Sequence, residues 1–157
     1  GVYVGTSPFR LPEEYIRSQF DPAIRVPLRE LVYHDSTWVT WRWNHTPNRW
    51  EQREYWDDWD LLHLINAQMP IFILSARDLP SQAERVLKTY RDVCGFLEKV
   101  GGVEMTDHRF LTPDRTVQES RFANGWAVVV NFSAERAYQS PEGRQVPPRG
   151  FVTYQTQ

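Results

Sequence analysis

The sequence is poor in the features that mark disulfide scaffolds, membrane spans and nucleic-acid binders. Its one cysteine, Cys94, cannot form an internal disulfide. The thiol sits beside Val93, Phe96 and Leu97, so a buried structural role is expected rather than a nucleophilic one. No apolar run approaches the roughly 20 residues of a membrane-spanning helix, and the N-terminal residues lack the basic-then-apolar order of a secretory signal. Lysine and arginine (18) nearly balance aspartate and glutamate (20), for a formal net charge of -2, and the basic residues form no run. The basic footprint of a nucleic-acid binder is therefore missing. The four histidines, His34, His45, His63 and His108, are not spaced as zinc ligands. There is no glycine-rich phosphate loop and no nucleophile elbow. The acidic trio Asp57, Asp58 and Asp60 suits a helix N-terminus better than a hard-cation site. No metal and no cofactor are expected.

What the sequence has in quantity is tryptophan. Six of its seven tryptophans, Trp38, Trp41, Trp43, Trp50, Trp56 and Trp59, fall within residues 38–59. Large rings can simply cover the edge of a core, each burying about 150 to 250 Å². Here, however, Arg42, Asn44, His45, Asn48 and Arg49 are interleaved with the rings. Apolar faces alternating with hydrogen-bonding groups suit a pyranose, which has a C–H face and a rim of hydroxyls. Asn44-His45-Thr46 and Asn131-Phe132-Ser133 match the glycosylation sequon, a weak signal on its own.

Two periodic regimes meet near residue 100. In residues 1–100, "VPLRELVY" (Val26 to Tyr33) and "PIFIL" (Pro70 to Leu74) are short apolar runs of the kind that form buried strands. "DDWDLLHLINAQM" between them is predicted to be helical, with carboxylates at its start and His63 as a hydrogen-bonded core residue. A second helix is predicted from Ser81, where Glu84 completes a capping box. Its inward stripe would be Val86, Tyr90, Val93, Leu97 and Val100, and it would end at Gly101-Gly102. Strand and helix alternate as in βα units. In residues 101–157 the period becomes two. "RTVQESRF" and "WAVVVNF" flank Asn124-Gly125 as a hairpin, "PEG" marks a further turn, and "GFVTY" forms a last strand. The fold class expected is α/β followed by all-β.

Tyr33-His34-Asp35 would then close the first strand, and ligands of parallel α/β folds are handled at strand carboxyl ends. Asp35 can equally cap the turn that follows, together with Ser36 or Thr37.

The segments "RVPLRELVYHDSTWVTWRW", "NRW", "VEMTDHRFLTPDRTVQESRFANGWAVVVNFS" and "PPRGF", spread over about residues 25 to 154, resemble the C-terminal section of bacterial glycoside hydrolases related to the endo-α-N-acetylgalactosaminidases. The resemblance implies the last βα units of a TIM-type (β/α)₈ barrel in residues 1–100, followed by an antiparallel β-sandwich-like domain in residues 101–157. It also implies a retaining mechanism with two carboxylates about 5 to 5.5 Å apart. In the relatives that pair lies on earlier barrel strands, and nothing in this chain matches those strands. The catalytic residues are accordingly not assigned. The implied substrate-recognition rim comprises His34 and Asp35, with Trp38, Trp41, Trp43 and Trp50 as its walls. The implied partners are a carbohydrate substrate and either the remaining N-terminal part of the barrel or a partner chain. The parent enzyme would be secreted, periplasmic or surface-bound. Two other readings of the tryptophans stay open: a carbohydrate-binding module without hydrolysis, and an aromatic-rich protein-interaction domain.

Overall fold

The computed structural model describes residues 21–42, 56–72, 75–77, 79–140 and 142–156, with the side chains of residues 41, 42 and 56 left aside. A 3₁₀ turn at Pro22–Ile24, capped by the Asp21 carboxylate on the Ala23 amide, leads into α1 (Leu28–Tyr33). There follow β1 (Thr40–Arg42), α2 (Trp56–Ile65) and β2 (Met69–Ile71). Next, α3 (Leu79–Thr89) continues through a π turn (Tyr90–Cys94) into α4 (Gly95–Val100). The remainder is β3 (Met105–Phe110), β4 (Val117–Phe122), β5 (Trp126–Asn131), β6 (Tyr138–Gln139), β7 (Gln145–Val146) and β8 (Gly150–Gln155).

Strands β1 and β2 pair in parallel, with Thr40 opposite Met69 and Arg42 opposite Ile71, and α2 lies between them in the chain. This is a βαβ unit, in which a parallel pair needs a long crossover connection. The four-stranded sheet is antiparallel, ordered β3-β4-β5-β8. Alternation along β5 sends Val128 and Val130 to one face and Ala127 and Val129 to the other, and both faces are covered. The first face packs on Leu61, Leu64 and Ile65 of α2 and on Phe96, Leu97 and Val100 of α4. That single apolar cluster joins the helical segment to the sheet. On the second face, Val146 of the β6–β7 hairpin covers Val117, Ala127, Val129 and Tyr154. Apart from the β1–β2 pair and the four-stranded sheet, the described residues contain only this two-stranded hairpin as paired β-structure.

Three expectations are corrected. Val26 to Tyr33 is not a strand: all but its first two residues form α1, which follows Pro27 and turns Glu30 inward to accept a hydrogen bond from Gln68 Nε2 at 2.5 Å. The strand lies downstream, at Thr40–Arg42. The second helix begins at Leu79, two residues before Ser81, with Pro80 in its first turn as helix starts favour. Tyr90 points outward, 54% exposed, because the inward position goes to Thr89, whose hydroxyl donates to the buried Asp60 at 2.8 Å. The helix does end at the glycine pair, where Gly102 takes the left-handed backbone (φ 72). The hairpin around Asn124-Gly125 is also present, with Gly125 at φ 83.

Candidate functional site

The placement of β1 reorganises the site. The carboxyl ends of the parallel pair are at Arg42 and Ile71, so the end that handles ligands in such folds leads into the tryptophan segment from Trp43 onward. Trp41 lies on β1 itself, while Trp43 and Trp50 fall outside the described residues. Helix α2 returns from that end, and its first turn carries Asp57 and Asp58. Burial pushes the Asp58 carboxyl up, the charge of Arg149 pulls it partly back, and Asp57 adds a further rise.

His34, Asp35 and Trp38 sit at the opposite end. The Met69 amide, at the start of β2, bonds to the Val39 carbonyl at 2.9 Å, which sets Trp38 and Val39 at the amino ends of both strands. His34 is buried, with Nδ1 2.5 Å from the Val103 carbonyl, Nε2 3.3 Å from the Ala67 carbonyl, and the ring 5.3 Å from that of Phe122. Both ring nitrogens are engaged with the backbone, so the histidine ties α1 to the end of α2 and to the lead-in of β3. Asp35 is exposed. The turn is closed instead by the Ser36 and Thr37 hydroxyls, which donate to the Tyr33 carbonyl at 3.3 and 3.0 Å. Trp38 is 61% exposed, and its ring edge rests on Gly101, where an added Cβ would come within 2.5 Å of Cη2.

Three further titratable groups, Asp60, His63 and Cys94, are shifted by burial within the fold. Asp60 is buried in α2 and accepts from Thr89, with Arg85 Nη2 at 2.7 Å and Lys88 at 3.6 Å. Burial pushes its carboxyl up to about 6 against the pull of those partners. His63 is stacked on Trp59 with centroids 6.3 Å apart; burial, then the nearby Arg25 charge, lowers it to about 3. Burial raises the Cys94 thiol, as do the charges of Glu98 and Asp60, which is the reverse of what activates a nucleophile. Among the described residues no group of three or more histidine, cysteine or acidic side chains could hold a metal ion, and no helix is long and apolar enough to cross a membrane.

Two networks had no clear sequence signal. Buried Glu119 accepts from the Tyr154 hydroxyl and from Arg121 Nε at 2.7 Å, and burial, followed by that bond, pushes Tyr154 up to about 12. Asn131, the first residue of the second sequon, is wholly buried. Its amide nitrogen donates to the carbonyls of Arg136 at 2.7 Å and Pro147 at 3.2 Å, while its oxygen accepts from the Ser133 amide at 3.0 Å.

Comparison with known proteins decides the family. Residues 4–121 match the glycosyl hydrolases related to the GH101 family, GH129. The chain belongs to this family. Among solved structures it is similar to the α-N-acetylgalactosaminidase NagBb from Bifidobacterium bifidum, in a quadruple-mutant form, with 30% sequence identity and a TM-score of 0.54. That similarity covers 78% of this chain and 18% of the NagBb chain, so the GH129 chain described here spans under a fifth of that enzyme's length. No curated protein matches it. The glycoside hydrolase resemblance of the sequence is thereby established at the level of family.

Proposed function

We propose that this chain supplies part of the substrate-recognition rim of a glycoside hydrolase acting on O-glycosidic bonds, and that the catalytic carboxylate pair lies outside it. The observation that carries the reading is the parallel β1–α2–β2 unit, whose carboxyl end opens into the tryptophan segment of a GH129 chain. The rim is assigned to Trp41, Trp43 and Trp50, which stack on the sugar. His34, with both ring nitrogens engaged, is a tie and not a ligand.

The parallel pair is read as the last units of a TIM-type barrel, with residues 101–157 as the sandwich-like domain behind it. Exposure supports this. Ile24, Leu28 and Val32 are 63, 69 and 64% exposed, and Met69 and Ile71 of β2 are 38 and 36% exposed. Parallel strands are normally buried on both faces, and further βα units would cover these residues. The parent enzyme is proposed to be secreted, periplasmic or surface-bound, as enzymes that meet extracellular glycans must be.

Two experiments test the reading. Tryptophan fluorescence of the chain is titrated with galactose and N-acetylgalactosamine, alongside Trp41→Ala and Trp43→Ala. A saturable shift that both substitutions abolish is expected, and a shift that neither alters refutes the rim. Hydrolysis of an aryl glycoside by the chain alone is expected to be absent, and activity would place the carboxylate pair within it.

A further inference from the structure

The rim assigned above comes from β1 and the segment that follows it, yet a residue of the antiparallel sheet stands at the same end of the molecule. Two ties set the direction in which α2 crosses the sheet. The Ser120 hydroxyl of β4 donates to the Ile65 carbonyl at 2.6 Å. Just past the helix, the Ala67 carbonyl lies 3.3 Å from His34 Nε2, and the His34 ring packs on Phe122 at the end of β4. The carboxyl end of α2 therefore points toward the Asn124-Gly125 hairpin, and its first turn lies toward the opposite end of the sheet. Ser120 pairs with Val128, and Asn131 pairs with Gly150. Back from Ile65 to Asp58 the helix covers about 10 Å, and β5 covers about the same from Val128 to Asn131. This brings Arg149, the residue before β8, level with Asp58. Phe132 and Phe151 next to it pack on the cluster that contains Leu61 of α2, and the charge of Arg149 acts on the Asp58 carboxyl. The first turn of α2 is also where the carboxyl ends of β1 and β2 lie.

Arg149 occupies this corner on an unfavourable backbone. Its φ is 45, a left-handed conformation that glycine or asparagine adopts at less cost than a long side chain. The turn is fixed: the Arg149 amide bonds to the Ser133 carbonyl at 2.8 Å, and a Cβ on Gly150 would come within 2.6 Å of Pro147 Cγ. An exposed guanidinium is thus carried on a rigid, strained turn at the end of the fold that handles the ligand.

We propose that Arg149 is a specificity-determining residue of the carboxyl-end rim, where its guanidinium donates to oxygens of the bound sugar while Asp58 beside it accepts from a neighbouring hydroxyl. Arginine offers a fixed fork of donors and an ionised aspartate offers only acceptors, so together they match the two roles of sugar hydroxyls. The ligand class rests on the proposed function, whereas the placement of Arg149 does not. On this reading the sheet contributes directly to recognition as well as supporting the helices.

The test is fluorescence titration of the 157-residue chain with N-acetylgalactosamine and with galactose, in wild type, Trp41→Ala, Arg149→Gly, Arg149→Lys and Asp58→Asn. Urea unfolding of each variant runs beside it. Glycine accepts the left-handed backbone without strain, so the urea midpoint of Arg149→Gly should not fall. Its affinity for sugar should nevertheless drop about ten- to hundredfold, the worth of a charged hydrogen bond. Arg149→Lys keeps the charge without the fork and should restore only part of the loss, and Asp58→Asn should weaken the same response. Carboxyl NMR gives a readout that needs no sugar: the Asp58 carboxyl should titrate higher in Arg149→Gly than in wild type. A wild-type response that Trp41→Ala abolishes and Arg149→Gly leaves unchanged overturns the inference and keeps the rim. Weaker binding accompanied by a lower urea midpoint in Arg149→Gly overturns it as well, marking the turn as structural. An Asp58 titration unmoved by Arg149→Gly overturns the placement, whatever the sugars do. A wild-type chain that responds to neither sugar overturns the rim and the inference together.

Discussion

The antiparallel sheet and the parallel pair both carry apolar side chains, yet they end in different states. In the sheet, β5 is buried on both faces, by helices on one side and by the β6–β7 hairpin on the other. In the parallel pair, β2 buries Pro70 and leaves Met69 and Ile71 more than a third exposed. The sheet is closed within the described residues, while the pair has apolar surface left over. A chain of this kind can therefore have a firm core on one side and an interface on the other, and substitutions on the two sides should be read in different assays.

The largest effect should come from the seam that holds the helical side to the sheet. Phe122 is 3% exposed and lies between the rings of Phe96, at 5.7 Å, and His34, at 5.3 Å. Phe122→Ala should cost about 3 to 5 kcal/mol. In urea, far-ultraviolet circular dichroism and tryptophan fluorescence should shift together, whereas two separated transitions would break the comparison. Asn131→Ala, which strips two carbonyls and an amide of their buried partner, should cost about 2 to 3 kcal/mol, read as a lower urea midpoint at unchanged m-value.

Acid should act on both sides of the seam, through His63 of α2 and His108 of β3. His63 and His108 are held at about 3 and about 4, mainly by burial, so the unfolded chain binds the extra protons between those values and the ordinary histidine value of 6.5. Their contribution to stability is present above pH 6.5 and is lost as pH falls. Asp60, raised to about 6 from 3.8, works the other way, because the folded chain takes up its proton first. Two depressed histidines against one raised carboxylate leave a net loss of about 1 kcal/mol per pH unit between pH 6 and 4, allowing for the partial exposure of His108. Asp60→Asn should make that slope steeper, and an unchanged slope in urea titrations across the window would refute the assignment. The smallest effect is expected on the open side. Leu28→Glu should change the stability of this chain by less than about 0.5 kcal/mol, while, on the proposed function, it should sharply weaken binding of a separately expressed segment carrying the further βα units.

The sheet could be read in the sequence because strands and turn gave the same signal: period two in "RTVQESRF" and "WAVVVNF", with Asn124-Gly125 between them. Helix α1 was harder to read: Leu28, Leu31 and Val32 have helical spacing, but six residues are too few for the period to decide against a short apolar strand. Its backbone bonds are joined by one between Glu30 and Gln68, 38 residues apart, which leaves no local trace in the sequence. Reading α1 as a strand moves the expected strand end from Arg42 back to Asp35. His34 enters the sequence reading as a rim residue implied by the family resemblance. Its partners are two backbone carbonyls 33 and 69 residues away, and no composition argument could reveal them.

Asn131 has one more consequence, for production of the protein. The sequon Asn131-Phe132-Ser133 is recognised by oligosaccharyltransferase only while the side-chain amide is accessible, and in the finished fold that amide is wholly enclosed. In a secreting eukaryotic host, glycan addition and closure of the β5 to β8 turn would therefore be in a race during synthesis. A glycan at this position would label the molecules that had lost it, and a bacterial host would avoid the competition altogether.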